Sequence, residues 1–143
     1  MLNVHIIYCD DSDGSSLIAL VEEAGHRVVS YYRLSSDELN DLSGTKADVV
    51  VLDAAASLQL RQEGSPIDLS DCLVELLCGL GAPAVLIAPA SDVAKSVGQR
   101  GRSTGLLYAC LTAPVRPSDL NFAVDLAFAR HNDVAALRAK KRR

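Results

Sequence analysis

At 143 residues the chain has room for one domain with a real core, and not for two of ordinary size. Apolar residues make up 49% and aromatics only 4%, with no Trp, so the interior must be mainly aliphatic. A net charge of −4 excludes a chain that binds nucleic acid over its whole surface, and no apolar run approaches the length of a membrane span.

The N-terminus, Met1-Leu2-Asn3-Val4-His5-Ile6-Ile7, enters a strand directly. It lacks the basic region and cleavage site of a secretory leader, which makes the cytoplasm the expected compartment. Val4 to Cys9 reads as a first buried strand closed by the pair Asp10-Asp11. After the polar turn Ser12-Asp13-Gly14-Ser15, the residues Leu17, Leu20, Val21 and Ala24 fall on one helical face, and Gly25 ends that helix. Arg27 to Tyr32 makes a second strand. Ser35 and Glu38 are spaced as a capping box, opening a short helix with Leu39 and Leu42 on its inner side.

Ala47 to Asp53 is the third strand and the most informative stretch of the chain. Val49-Val50-Val51-Leu52 is continuous rather than alternating, so it reads as buried on both faces, and it stops on a carboxylate. From Ala54 to Asp68 the periodicity weakens into what reads as a long loop. A helix over about Leu69 to Leu80 follows, with Leu69, Leu73, Leu76, Leu77 and Leu80 inward. Ala84 to Ala88 is the fourth strand. Ser91 to about Val97 reads as a weak helix, and Gly98-Gln99-Arg100-Gly101-Arg102-Ser103 as a polar connection. Leu106 to Thr112 is the fifth strand.

The last helix opens near Pro117, a favourable first helical residue, and extends to about Lys141. At about 1.5 Å per residue it is nearly 40 Å long, more than a five-stranded sheet requires, so residues 131–143 read as a helical extension of the single domain. Leu120, Ala123, Ala127, Val134 and Leu137 keep near-heptad spacing, interrupted by Arg130 and His131. That pattern points to a homodimer through this helix.

Aliphatic strands alternating with helices predict a three-layer α/β/α domain around a five-stranded parallel sheet with right-handed crossovers. The acidic first loop matches neither a dinucleotide fingerprint nor a P-loop. In such a sheet the first and third strands are neighbours, so Asp10, Asp11 and Asp53 converge at one edge. Three clustered carboxylates repel, and a hard divalent cation such as Mg²⁺ relieves that repulsion. The cysteines (Cys9, Cys72, Cys78, Cys110) form no Cys-x-x-Cys pair and the histidines are scattered, so they read as buried free thiols rather than metal ligands.

These pieces resemble the receiver domain of bacterial two-component response regulators. The likeness is carried by Asp10-Asp11, by Ala47-Asp48-Val49-Val50-Val51-Leu52-Asp53, by Ala82-Pro83-Ala84-Val85-Leu86-Ile87, and by Ala113-Pro114-Val115 with Pro117-Ser118-Asp119-Leu120. It implies a flavodoxin-like strand order 2-1-3-4-5. It also implies Asp53 as phosphoacceptor, Asp10, Asp11 and Asp53 as the Mg²⁺ site, a histidine kinase or other signalling protein as partner, and a cis Ala113–Pro114 bond.

The chain departs from the family pattern at three switch positions. Ala88 stands where receivers carry Ser or Thr, Cys110 where Tyr or Phe is common, and Ala113 where receivers carry Lys before the proline. Ala54-Ala55-Ala56-Ser57 replaces the usual Met-Pro. A pseudo-receiver that works without phosphate is therefore the alternative expectation. A phosphohydrolase using Asp53 as nucleophile is set aside, because its neighbours are alanines and no general acid stands beside it. No catalytic residue is expected, and the domain reads as a signalling module rather than an enzyme.

The stretch Thr112 to Leu120, continuing through Ala127-Phe128-Ala129-Arg130 and Leu137-Arg138, looks like the receiver-to-output junction of ANTAR-type antitermination regulators. Either a free-standing variant or a piece of a longer chain fits that likeness. The terminal Lys140-Lys141-Arg142-Arg143 reads as a solvated helix end, and nucleic acid is not an expected partner of this domain alone.

Overall fold

The computed structural model describes residues 2–8, 15–33, 47–54, 59–62, 65–68, 73–74, 77–78, 82–89, 92–112 and 115–141. In chain order these form β1 (Asn3–Tyr8), α1 (Ser15–Glu23), β2 (Arg27–Arg33), β3 (Val49–Asp53), β4 (Gln59–Gln62), β5 (Ser65–Asp68), β6 (Ala84–Ala88), α2 (Asp92–Ser103), β7 (Leu107–Thr112) and α3 (Pro117–Lys141). Leu73, Val74, Leu77 and Cys78 are also helical. Five strands pair in parallel in the order β2-β1-β3-β6-β7, the 2-1-3-4-5 arrangement of a flavodoxin-like sheet.

Every residue of β3 is buried, because the strand is central and covered on both faces. Val50 and Leu52 join Ile7, Ala84 and Leu86 beneath Leu73, Leu77 and Val97. Val49 and Val51 join Val4, Ile6, Val85 and Ile87 beneath Leu17 and Val21 of α1 and Leu120, Ala123, Val124 and Ala127 of α3. Burying one such side chain is worth about 1.5–3 kcal/mol, against about 1 kcal/mol net for a typical hydrogen bond. The two apolar layers therefore set the architecture and the polar contacts refine it.

The helix ends are closed by local chemistry. At the end of α1, Gly25 at φ 92° lets its N–H donate to the Glu22 carbonyl at 3.0 Å and the His26 N–H donate to that of Val21 at 3.2 Å. This is the paired bonding of a Schellman cap. The imidazole of His26 then ties three elements together. Its Nδ1 accepts from the Leu2 N–H at 3.3 Å, so the proton sits on Nε2, which donates to Asn121 Oδ1 at 2.8 Å on α3. Asp125 Oδ1 lies 3.6 Å from the same nitrogen. Further along α3, His131 Nδ1 meets the Tyr108 hydroxyl at 3.3 Å.

Four expectations are corrected. Within the stretch read as a loop from Ala54 to Asp68, Gln59–Gln62 and Ser65–Asp68 pair as an antiparallel hairpin, with Gln62 opposite Ser65. Residues 98–103 are not a connection but the second half of α2, which runs through two glycines. Gly101 is buried where a Cβ would lie 3.2 Å from both Leu107 Cβ and Leu73 Cδ2, so glycine is the residue that lets α2 sit this close. At Gly98 an added Cβ would lie 3.6 Å from Cys110 Sγ, an ordinary van der Waals contact. Of the thiols expected to be buried, Cys78 is exposed, and Cys110 is only half-buried against the core because β7 is the edge strand; both are free. Finally, Leu120, Ala123 and Ala127 of the expected dimer seam face the molecule's own sheet. The capping-box helix from Ser35, Cys9, Cys72, and the Ala113–Pro114 bond lie outside the described residues.

Substituting Gly101→Ala places a methyl in space already taken by Leu107 and Leu73. Overpacking of this kind costs about 1–3 kcal/mol, more than the helix-propensity gain of up to about 1. Urea unfolding should show a net loss of about 1–2 kcal/mol, and a gain would contradict the close approach. His5 sits fully buried in β1, and desolvation lowers its pKa from 6.5 to about 4. The unfolded chain thus takes up a proton before the folded one does. The His5 contribution is complete above about pH 6.5 and is lost progressively as pH falls to about 4, to a total on the order of 3 kcal/mol. Subtracting the stability profile of His5→Gln from that of the unaltered protein should isolate this loss in that window.

Candidate functional site

The carboxyl edge of the sheet is built around the last residue of β3. Its entry is fixed at the other end of the strand, where the Asn3 N–H donates to Asp48 Oδ2 and the Asp48 N–H to the Asn3 carbonyl, both at 2.8 Å. This double bond locks β3 to β1 in the register that sets Asp53 beside Tyr8. On the other side Asp53 is level with Ile87 of β6, and the ladder continues past it through Ala54 N–H to the Ile87 carbonyl at 2.8 Å. The backbone of Asp53 is held from both sides.

Asp53 is 6% exposed and is among the few buried ionisable side chains of the described residues. A carboxylate is costly to bury unless something compensates it. Its position outside the end of a central parallel strand is where open α/β sheets place their ligands. Its oxygens are hard donors of the kind that Mg²⁺ or Ca²⁺ prefers. Among the described residues no group of three His, Cys, Asp or Glu gathers as a metal centre. The expected companions Asp10 and Asp11 lie outside those residues.

The switch positions are placed one by one. Ala88 ends β6, is 1% exposed, and is level with Thr112 at the end of β7. It offers a methyl where the receiver resemblance leads one to expect a hydroxyl. Cys110 is level with Leu86, two residues back from the edge, with its half-buried sulfur beside Gly98 on α2. Burial pushes its thiol pKa up, and the nearby Arg102 charge opposes the rise. A thiol in that state is a packing group rather than a nucleophile. Ala113 lies outside the described residues. Thr112 is exposed at the strand end and carries the hydroxyl that Ala88 lacks, one strand over.

Tyr8 was absent from the sequence reading of the site, although it is the residue level with Asp53. Parallel-strand register is not encoded locally, and nothing in the pattern around Tyr8 marks it. The same holds for His26 and Asn121, which are 95 positions apart in the chain yet hydrogen-bonded. Among the described residues no helix is long and apolar enough to cross a membrane.

Compared with known proteins, the sequence matches no family model and no curated protein. Its fold does match solved structures. The signal receiver domain of a modulated diguanylate cyclase from Desulfovibrio desulfuricans, described as an example of alternate folding, superposes with a TM-score of 0.70 at 18% identity, over 91% of this chain and 95% of that one. A response regulator receiver domain protein from Clostridium thermocellum gives 0.64 at 16% identity, over 94% and 99%. The receiver domain of a sensor histidine kinase from Pseudomonas aeruginosa, with a magnesium ion coordinated in its active-site cleft, gives 0.60 at 10% identity, over 90% and 98%. The sheet order, the helical layers and these superpositions together give the chain the fold of a response-regulator receiver domain.

Proposed function

We propose that the chain is an atypical receiver domain of two-component signalling in the cytoplasm, with Asp53 as its phosphoacceptor. The observation that carries this reading is a buried carboxylate at the carboxyl end of the central strand of a receiver fold. In the transfer step a carboxylate oxygen of Asp53 attacks the phosphorus of a phosphohistidine on a kinase or of a small acyl phosphate. A P–O bond forms as the bond to the donor breaks, and the leaving group departs with its electron pair. The domain acts as a signalling module, without a turnover substrate of its own.

Asp10, Asp11 and Asp53 would hold Mg²⁺. The cation's chemistry there is to offset the negative charge that phosphate brings. Asp10 and Asp11 follow Tyr8 by two and three residues, so covalent connectivity keeps their Cα atoms within about 11 Å of the residue level with Asp53. A homodimer through α3, and an affiliation with the receivers of ANTAR-type regulators, belong to the same reading.

The burial of Ala88 favours a second reading, a pseudo-receiver controlled by a partner protein without phosphate. A methyl closed off at the end of β6 has no way to bind a phosphoryl oxygen, so the coupling from Asp53 to β6 and β7 lacks its hydroxyl.

Incubation with acetyl phosphate and Mg²⁺ distinguishes the two. Intact mass should increase by one phosphoryl group, and both chelation of the metal and Asp53→Asn should abolish the increase. An unmodified mass at saturating donor would leave the pseudo-receiver standing and the phosphoacceptor rejected.

A further inference from the structure

The helix α3 carries two apolar faces, and Leu120, Ala123 and Ala127 of the heptad read from sequence lie on the occupied one. Leu120, Ala123, Val124 and Ala127 are buried against the sheet and α1, and His131 on the same side reaches Tyr108. The opposite face repeats in steps of four and three through Phe122, Leu126, Ala129, Asp133, Ala136 and Lys140. Phe122 is 70% exposed, an unusual state for an aromatic side chain, and Ala129, Asp133 and Ala136 are exposed as well. Leu137, 58% exposed, flanks this stripe. Phe122, Ala129 and Ala136 make a narrow exposed apolar seam on one side of the helix, with the half-buried Leu126 at its edge.

The charges along the helix decide what can cover it. Asp119, Asp125 and Asp133 lie in its first two-thirds, whereas Arg138, Lys140 and Lys141 crowd its last turn. A second copy of the same helix in the parallel sense would set Asp133 against Asp133 and Lys140 against Lys140 within the seam. Like charges directly opposed in a helical interface are destabilising. In the antiparallel sense, with the two-fold axis near His131, Asp133 falls level with Ala129, Leu126 with Ala136, and Phe122 with position 140. The acidic start of each helix then meets the basic end of the other, and the helix dipoles align favourably.

We infer that a second copy of this chain covers the outer face of α3, pairing antiparallel through Phe122, Leu126, Ala129 and Ala136. This rests on the homodimer reading above and specifies its face and direction. The pairing is isologous, so it closes at two copies and leaves no surface to propagate.

The test uses the full chain. Sedimentation velocity across micromolar concentrations gives the assembly state, and Phe122→Asp, at a side chain 70% exposed in the monomer, should raise the dimer dissociation constant at least tenfold. Carbodiimide coupling then reads direction. Within one helix Asp119 and Lys140 are 21 residues apart, about 32 Å, and a parallel partner keeps that separation. A coupled peptide joining Asp119 to Lys140 or Lys141 in the dimer band is therefore the expected antiparallel signature. A monomer at all concentrations would overturn the homodimer reading together with this one. A dimer indifferent to Phe122→Asp, or one lacking the Asp119 coupling, would overturn the seam while leaving dimerisation intact.

Discussion

The structure depends on β3 being covered on both faces. Four consecutive aliphatic side chains can be satisfied only at the centre of a sheet with a helical layer above and below. That requirement draws β1 and β6 to its two edges, places Leu73 and Leu77 with α2 on one side, and places α1 with α3 on the other. It also decides where the chain's most consequential carboxylate sits. Asp53 ends the run, and the strand it ends is the one whose position is least free to vary.

The same constraint separates what is strong in this domain from what is adjustable. The two apolar layers are built from residues between 0 and 5% exposed, while β7 at the sheet's margin is mostly half-buried. In receiver folds the margin is where a signal from the phosphoacceptor would have to travel. At that margin β7 carries Cys110 and Thr112, and next to it the buried Ala88 ends β6 with a methyl rather than a hydroxyl. A rigid centre bearing Asp53, the proposed acceptor, thus adjoins a margin without a hydroxyl at Ala88 to hold its phosphate.

Most of the architecture was legible in the sequence because it rests on local signals: aliphatic runs, Gly25 after a periodic stretch, Pro117 opening a helix. The misses share a physical origin. Gly98 and Gly101 look like helix breakers to any local rule, but both sit inside α2, and at Gly101 Leu107 and Leu73 come close enough to exclude a side chain. The β4–β5 hairpin lacks aliphatic alternation, so no local pattern marks the pairing that sets Gln62 opposite Ser65. The seam of α3 was misassigned because a heptad pattern reports an apolar stripe without saying which surface meets it. Of the site, the strand-end position of Asp53 was readable, whereas its neighbour Tyr8 followed only from register.

The central claim is that the carboxyl edge of β3 is a metal-dependent acceptor of phosphate. The most direct measurement is a Mg²⁺ titration with beryllofluoride followed by backbone amide shifts. The account predicts saturable, metal-dependent shifts at Tyr8, Asp53, Ala54 and Ile87 that vanish in Asp53→Asn. Spectra unchanged at these residues under saturating metal and beryllofluoride would contradict it.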